Sequence, residues 1–125
     1  MNRWLSIVVL LVSCSVFAAE GERVSLGTLA ASNQSKLIRL SIGMTKDDVL
    51  ALMGTNTSKT HDGIVNNPWT SESFTDKNGV QTEVWYYVTR KNQPFTPVRR
   101  SLTTPVVFKD GKVVGWGNDA LSHAY

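Results

Sequence analysis

The sequence predicts an α+β domain, with two short helices packed on a three- to four-stranded antiparallel sheet. Three observations point there. An apolar stretch with helical spacing sits between a capping residue, Thr45, and a stop, Gly54. Residues 82–90 alternate β-branched and aromatic side chains. Near the end, Asp110-Gly111 joins two apolar runs. Helical signals come first and strand signals later, the segregated order of α+β chains. At 125 residues and 42% hydrophobic content the chain has room for one core and one domain.

The first element is a leader. Met1-Asn2-Arg3 is a short basic start, and residues 4–12 are apolar except for Ser6. The run is too short to cross a bilayer, which takes about 20 residues, and it has the length of a signal-peptide core. Two exits fit. Residues 1–18 form a signal peptide with Val16-Phe17-Ala18 as the cleavage site, leaving Ala19 first. Alternatively Leu11-Val12-Ser13-Cys14 is a lipobox, residues 1–13 are removed and Cys14 is acylated. Both place the protein in the periplasm or cell envelope of a Gram-negative bacterium. Cys14 is the single cysteine, so the domain beyond it has no disulfide, thiolate nucleophile or cysteine metal site.

Residues 19–32 are small and polar and read as a flexible lead-in. Residues 33–40 suit a short helix, with Leu37, Ile38 and Leu40 on its buried side. The second helix has the stronger signal. Thr45 is a good N-cap, Asp48 completes a capping box, and Asp47 and Asp48 suit the positive end of the helix dipole. Val49, Leu52 and Met53 share a face, and Gly54 ends the helix.

Residues 55–70 are polar, with turn chemistry at His61-Asp62-Gly63 and Asn66-Asn67-Pro68 and a short strand expected near 58–61. A second weak strand covers 71–75. Asp76-Lys77-Asn78-Gly79 is a turn. In the clear strand, 82–90, Val84, Tyr86 and Val88 share one face and Trp85, Tyr87 and Thr89 the other. Residues 91–102 form a long loop containing Pro94 and Pro97. Strands at 103–109 and 112–116 make a hairpin. Gly115 and Gly117 flank Trp116 and suggest a close backbone approach or a bulge. The domain is expected to span 33–117, with 118–125 as a tail.

The net charge is +3, and no basic run or nucleic-acid motif stands out, so nucleic acid is not an expected partner. His61-Asp62 and His123 are the only imidazole chemistry. They carry no nucleophile signature and no metal-ligand spacing, so a small hydrolase is the least favoured function, and no cofactor or metal is expected. Trp85-Tyr86-Tyr87 puts aromatics on both faces, and two short helices alone do not cover one of them: either the long central insert covers it, or Trp85 and Tyr87 form a candidate exposed aromatic surface. Arg90, Lys91, Arg99 and Arg100 bracket the proline-containing loop and are candidates for an anionic partner such as phospholipid head groups, worth roughly 1 kcal/mol per basic residue near an anionic membrane.

The signals Ile42-Gly43-Met44-Thr45-Lys46-Asp47-Asp48-Val49, Leu52-Met53-Gly54-Thr55 and Trp85-Tyr86-Tyr87-Val88-Thr89-Arg90, followed by the closing hairpin, resemble the SmpA/OmlA (BamE) family of small outer-membrane assembly lipoproteins. The ending, residues 104–117, also resembles a related family of small bacterial envelope proteins. The resemblance covers roughly 33–117. It implies two helices on a three-stranded antiparallel sheet, as in β-lactamase-inhibitor-like domains. It implies a non-enzymatic role, docking on the β-barrel assembly machinery with phosphatidylglycerol contact. By position, Thr55, Tyr86 and Arg90 match that family's partner and lipid surface. The function expected is therefore an envelope protein-interaction module that assists outer-membrane assembly or maintenance. The alternative is a soluble periplasmic inhibitor or ligand-binding module.

Overall fold

The computed structural model describes residues 21–91 and 96–125. The leader, its two exits and Cys14 lie outside the described residues. The architecture is α+β: helices packed on a four-stranded antiparallel sheet, with a separate two-stranded hairpin. In chain order the elements are α1 (Leu26–Leu37), α2 (Lys46–Met53), β1 (Ser58–Thr60), β2 (Gly63–Val65), β3 (Thr70–Thr75), β4 (Gln81–Val88), β5 (Thr103–Lys109), β6 (Lys112–Trp116) and α3 (Asn118–Ser122). The main sheet runs β3-β4-β5-β6, each strand antiparallel to the next.

The first helix departs from expectation at both ends. It begins at Leu26, where the Ser25 hydroxyl accepts a hydrogen bond from the Thr28 N–H, so residues 26–32 are helix and not a lead-in. Its buried stripe is Leu29, Ala30, Asn33 and Leu37. A polar residue in the middle of that stripe hid its periodicity. Asn33 is tolerated there because its amide is bonded: Nδ2 donates to Asn67 Oδ1 and to the Val88 carbonyl, each at 2.8 Å. The Asn67 amide in turn donates to Asn33 Oδ1 at 3.1 Å and to the carbonyls of Met53 and Gly54 at 3.2 and 3.1 Å. One amide pair thus ties α1, the end of α2 and the end of β4 together. At the other end the helix stops at Leu37. Ile38, expected in the core, is 83% exposed, and the chain turns so that Leu40 is buried instead.

The second helix forms as its sequence dictates. Thr45 and Asp48 make the reciprocal capping box, and Val49 and Met53 are buried. Gly54 ends it with φ 78° and ψ 174°, a conformation suited to glycine.

Three clusters make the core. Trp85, Tyr87, Val106, Phe108 and Val113 meet Leu37, Leu40, Val49 and Met53 on the helix-covered face. Trp85 and Phe108 rings lie 4.6 Å apart, and the Trp85 indole donates to Glu83 at 2.6 Å. Glu83 also pairs with Lys46. The expected exposed aromatic surface is therefore overturned: Trp85 and Tyr87 are buried, because α2 and the end of α1 cover their whole face. Burying large side chains of this kind stabilises the fold by about 1.5–3 kcal/mol each.

On the opposite face, Val84, Tyr86 and Val107 meet Ala124, with Phe74, Ala120 and Leu121 around them. Residues 118–125 are accordingly not a tail. The α3 helix and the residues after it form the cover of that face. The register shifts between Val107 and Phe108, opposite Gly115, the bulge that the two glycines suggested. A Cβ at Gly115 would lie 2.9 Å from the Ala120 Cβ, so glycine lets α3 approach. The third cluster joins Leu29 and Ala30 of α1 to Val65 of the small hairpin and Val88, with Trp69 shared between the second and third clusters.

Candidate functional site

Four basic residues that the sequence separates are gathered at one end of the sheet. The N–H groups of Thr89 and Arg90 both donate to the Leu102 carbonyl, at 2.9 and 3.1 Å. The Leu102 N–H donates to the Arg99 carbonyl at 2.9 Å, closing a 3₁₀ turn over Arg100–Leu102. The hydroxyls of Thr89 and Thr104 lie 2.8 Å apart below it. These bonds clamp the segment carrying Arg90 and Lys91 against the segment carrying Arg99 and Arg100. The Lys91 stem runs past Gly27, where an added Cβ would sit 3.5 Å from Lys91 Cδ. The first turn of α1 therefore lies at this end.

The four cations have different duties. Arg100 is engaged: its guanidinium carbon stands 4.4 Å from the Tyr86 ring centroid, and Nη2 is 3.6 Å from Glu72 Oε2. Arg90, Lys91 and Arg99 are exposed, and among the described residues none of them enters an ion pair. Like charges clamped at one end of the sheet, outside any ion pair among the described residues, set up a local positive field that favours an anionic partner.

The residues that the resemblance points to do not share an open surface. Arg90 is on the basic end. Thr55 is exposed just after α2, with Gly21 against it: a Cβ at Gly21 would lie 1.9 Å from the Thr55 carbonyl oxygen. Tyr86 is fully buried, since Arg100 lies over its ring and its hydroxyl donates to Glu72 at 2.7 Å. Burial, and then the bond to Glu72, raise the Tyr86 pKa well above that of a free phenol. Tyr87 is raised by burial alone, and its hydroxyl has no hydrogen-bond partner among the described residues.

Each histidine is engaged within its own turn. His61 Nε2 lies 3.3 Å from the adjacent Asp62 carboxylate, and His123 Nδ1 lies 2.8 Å from the Asp119 carbonyl. Among the described residues no group of three or more His, Asp, Glu or Cys could hold a metal ion.

Two features escaped sequence reasoning. Thr60, Asp62, Ile64, Val65, Trp69 and Val98 are among the residues lining a cleft of about 260 Å³ between the small hairpin and residues 97–98. Nothing in a local pattern places residues 60–65 beside 97–98. The other is the Glu72 hub, which accepts from Tyr86 and, at 3.3 Å, from Tyr125, and also pairs with Arg100. Only the strand register brings Glu72 opposite Val84 and diagonal to Tyr86, two residues further along β4. No helix among the described residues is long and apolar enough to cross a membrane.

A family model described as a protein of unknown function, DUF3192, matches residues 12–123. No curated protein and no solved structure matches the chain.

Proposed function

The chain belongs to the DUF3192 family, a membership that brings no activity with it, and from that premise we propose that it is a non-enzymatic interaction module of the bacterial cell envelope. Its leader delivers it there, and an envelope protein with an acidic surface docks on its basic end. The observation that carries this reading is the cluster of Arg90, Lys91 and Arg99, exposed and outside any ion pair among the described residues, beside the start of α1. The apolar leader with its basic start supports the compartment. The resemblance to BamE-type lipoproteins makes the barrel-assembly machinery the first partner to examine.

The test is a photo-crosslinking residue at position 99 in cells, followed by mass spectrometry of the adducts. A defined envelope protein should be recovered, and Arg90→Glu with Lys91→Glu should abolish the adduct. Adducts to phospholipid alone, with flotation on phosphatidylglycerol vesicles, would replace the protein partner with a membrane surface. The absence of any adduct would sink the reading. The mass of the mature N-terminus separates acylated Cys14 from free Ala19.

The cleft beside Trp69 favours the second reading, a soluble inhibitor or ligand-binding module. At about 260 Å³ it falls just below the range of small-molecule sites, roughly 300–1,000 Å³. It suits a single side chain of a bound protein, so it favours the inhibitor form of that reading over the ligand-binding form.

A further inference from the structure

The sheet has two edges, and they are treated differently. The β6 edge is closed by the segment before α2: the Gly43 N–H donates to the Val113 carbonyl and the Val113 N–H to the Met44 carbonyl, both at 2.8 Å, and Thr45 bridges to Lys112. The β3 edge has no such cover among the described residues.

The phase of the β3 ladder follows from its turn. The Asp76 N–H donates to the Val80 carbonyl at 2.9 Å. Stepping back by twos, Phe74, Glu72 and Thr70 turn their main chains toward Thr82, Val84 and Tyr86 of β4. The N–H and C=O groups of Ser71, Ser73 and Thr75 then face outward. All three residues are exposed. The usual protections of an edge strand are charged side chains (lysine above all), proline or a bulge. Thr70–Thr75 has no lysine or proline and a register unbroken through six pairs, and its one charge, Glu72, is engaged by the Tyr86 hydroxyl and Arg100.

We infer that this open edge of β3 docks an extended segment of a partner protein in which apolar and polar residues alternate. The inference rests on the interaction-module reading and names a second contact for it. An added strand would lie about 4.8 Å from β3. On one face its side chains would meet the ledge made by Phe74 and Tyr125, whose rings stack 4.6 Å apart at 10°. Tyr125 is 57% exposed, so the ledge has apolar surface left to bury. On the other face the incoming side chains would lie beside Ser71 and Ser73. The edge therefore asks for apolar residues toward the ledge and polar residues on the reverse. A second copy of β3 supplies this poorly, because on the ledge side it presents Thr70, Glu72 and Phe74, of which only Phe74 is apolar. A foreign strand fits better, in the manner of strand addition, where main-chain bonds give affinity and alternate side chains give specificity.

The experiment uses the purified full chain and a fluorescent peptide of about ten residues that alternates valine and threonine, with a lysine at each end. Anisotropy should rise with the alternating peptide and not with a peptide of the same composition in valine and threonine blocks. Ser73→Pro removes an outward N–H without touching the bonds to β4, a position where an edge strand tolerates proline. Binding should weaken roughly tenfold. If Ser73→Pro loses cooperative unfolding, Ser73→Lys takes its place as the edge-blocking variant. Equal binding by the block peptide, or unchanged binding by a folded edge variant, overturns the inference. So does self-association of the chain that an edge variant abolishes, since the occupant would then be a second copy. An adduct at position 99 that survives without peptide binding overturns the edge and leaves the module reading standing. Peptide binding without that adduct does the reverse.

Discussion

Replacing Asn33 by alanine removes one half of the amide pair that links α1, α2 and β4. Two buried acceptors lose a donor, the Val88 carbonyl and Asn67 Oδ1, and one Asn67 N–H loses Asn33 Oδ1. Asn67 Nδ2 keeps its bonds to Met53 and Gly54. Each unsatisfied buried acceptor costs about 1–3 kcal/mol. Alanine is the better helix former by up to about 0.7 kcal/mol. The net loss is then about 3 kcal/mol, within a range of about 1–5 kcal/mol, a large share of the roughly 5–15 kcal/mol that holds a domain together. Urea unfolding followed by tryptophan fluorescence measures it directly, and the melting temperature should fall on the order of 10–25 °C. The reasoning depends on the pair being sealed from water. A loss under about 0.5 kcal/mol, the size of an ordinary surface change, would refute it. Adding Asn67→Ala to Asn33→Ala sharpens the test, because partners in one network couple by about 0.5–3 kcal/mol. Strict additivity would show that the two amides act separately.

Three further outcomes are expected. Asp76 is held below its ordinary pKa by the Lys109 ammonium and then by the Val80 and Asn78 N–H groups. Its contribution is therefore present above the unfolded value and lost as pH falls through the lower folded value, so an acid titration should show stability dropping below about pH 4 and Asp76→Asn should flatten that drop. Ala124→Asp should detach the C-terminal segment from Val84, Tyr86 and Val107, lowering stability by about 1–3 kcal/mol and raising binding of a hydrophobic dye; an unchanged dye signal would show that the face stays covered. Thr45→Ala should cost about 1 kcal/mol in a urea titration, and Thr45→Ser should restore most of it, as a capping hydroxyl requires.

The candidate site was partly legible in the chain. Arg90, Lys91, Arg99 and Arg100 stood out because they flank one proline-containing loop. Their inequality did not, since Arg100 is spent on Glu72 and Tyr86, residues that reach it only through the β3–β4 register. The edge of β3 was invisible for the same reason. Its hydroxyl-rich sequence reads as a weak strand, and being an edge is a property of the sheet's strand order.

What the sequence determined by itself is local. The Thr45–Asp48 capping box starts α2, and the alternation over 82–90 defines two faces. Asp76-Lys77-Asn78-Gly79 and Asp110-Gly111 turn the chain between strands. Each rests on interactions spanning a few residues, so the chain carries them wherever it folds. Tertiary structure alone decided what covers those faces. Alternation says that Trp85 and Tyr86 point opposite ways, but α2 seals one and the C-terminal segment with Arg100 seals the other. It also decided that α1 can bury a polar residue in its apolar stripe, because Asn33 is stabilised there by Asn67, 34 residues away. Burial and hydrogen bonding at that range depend on packing, and a window on the chain does not contain it.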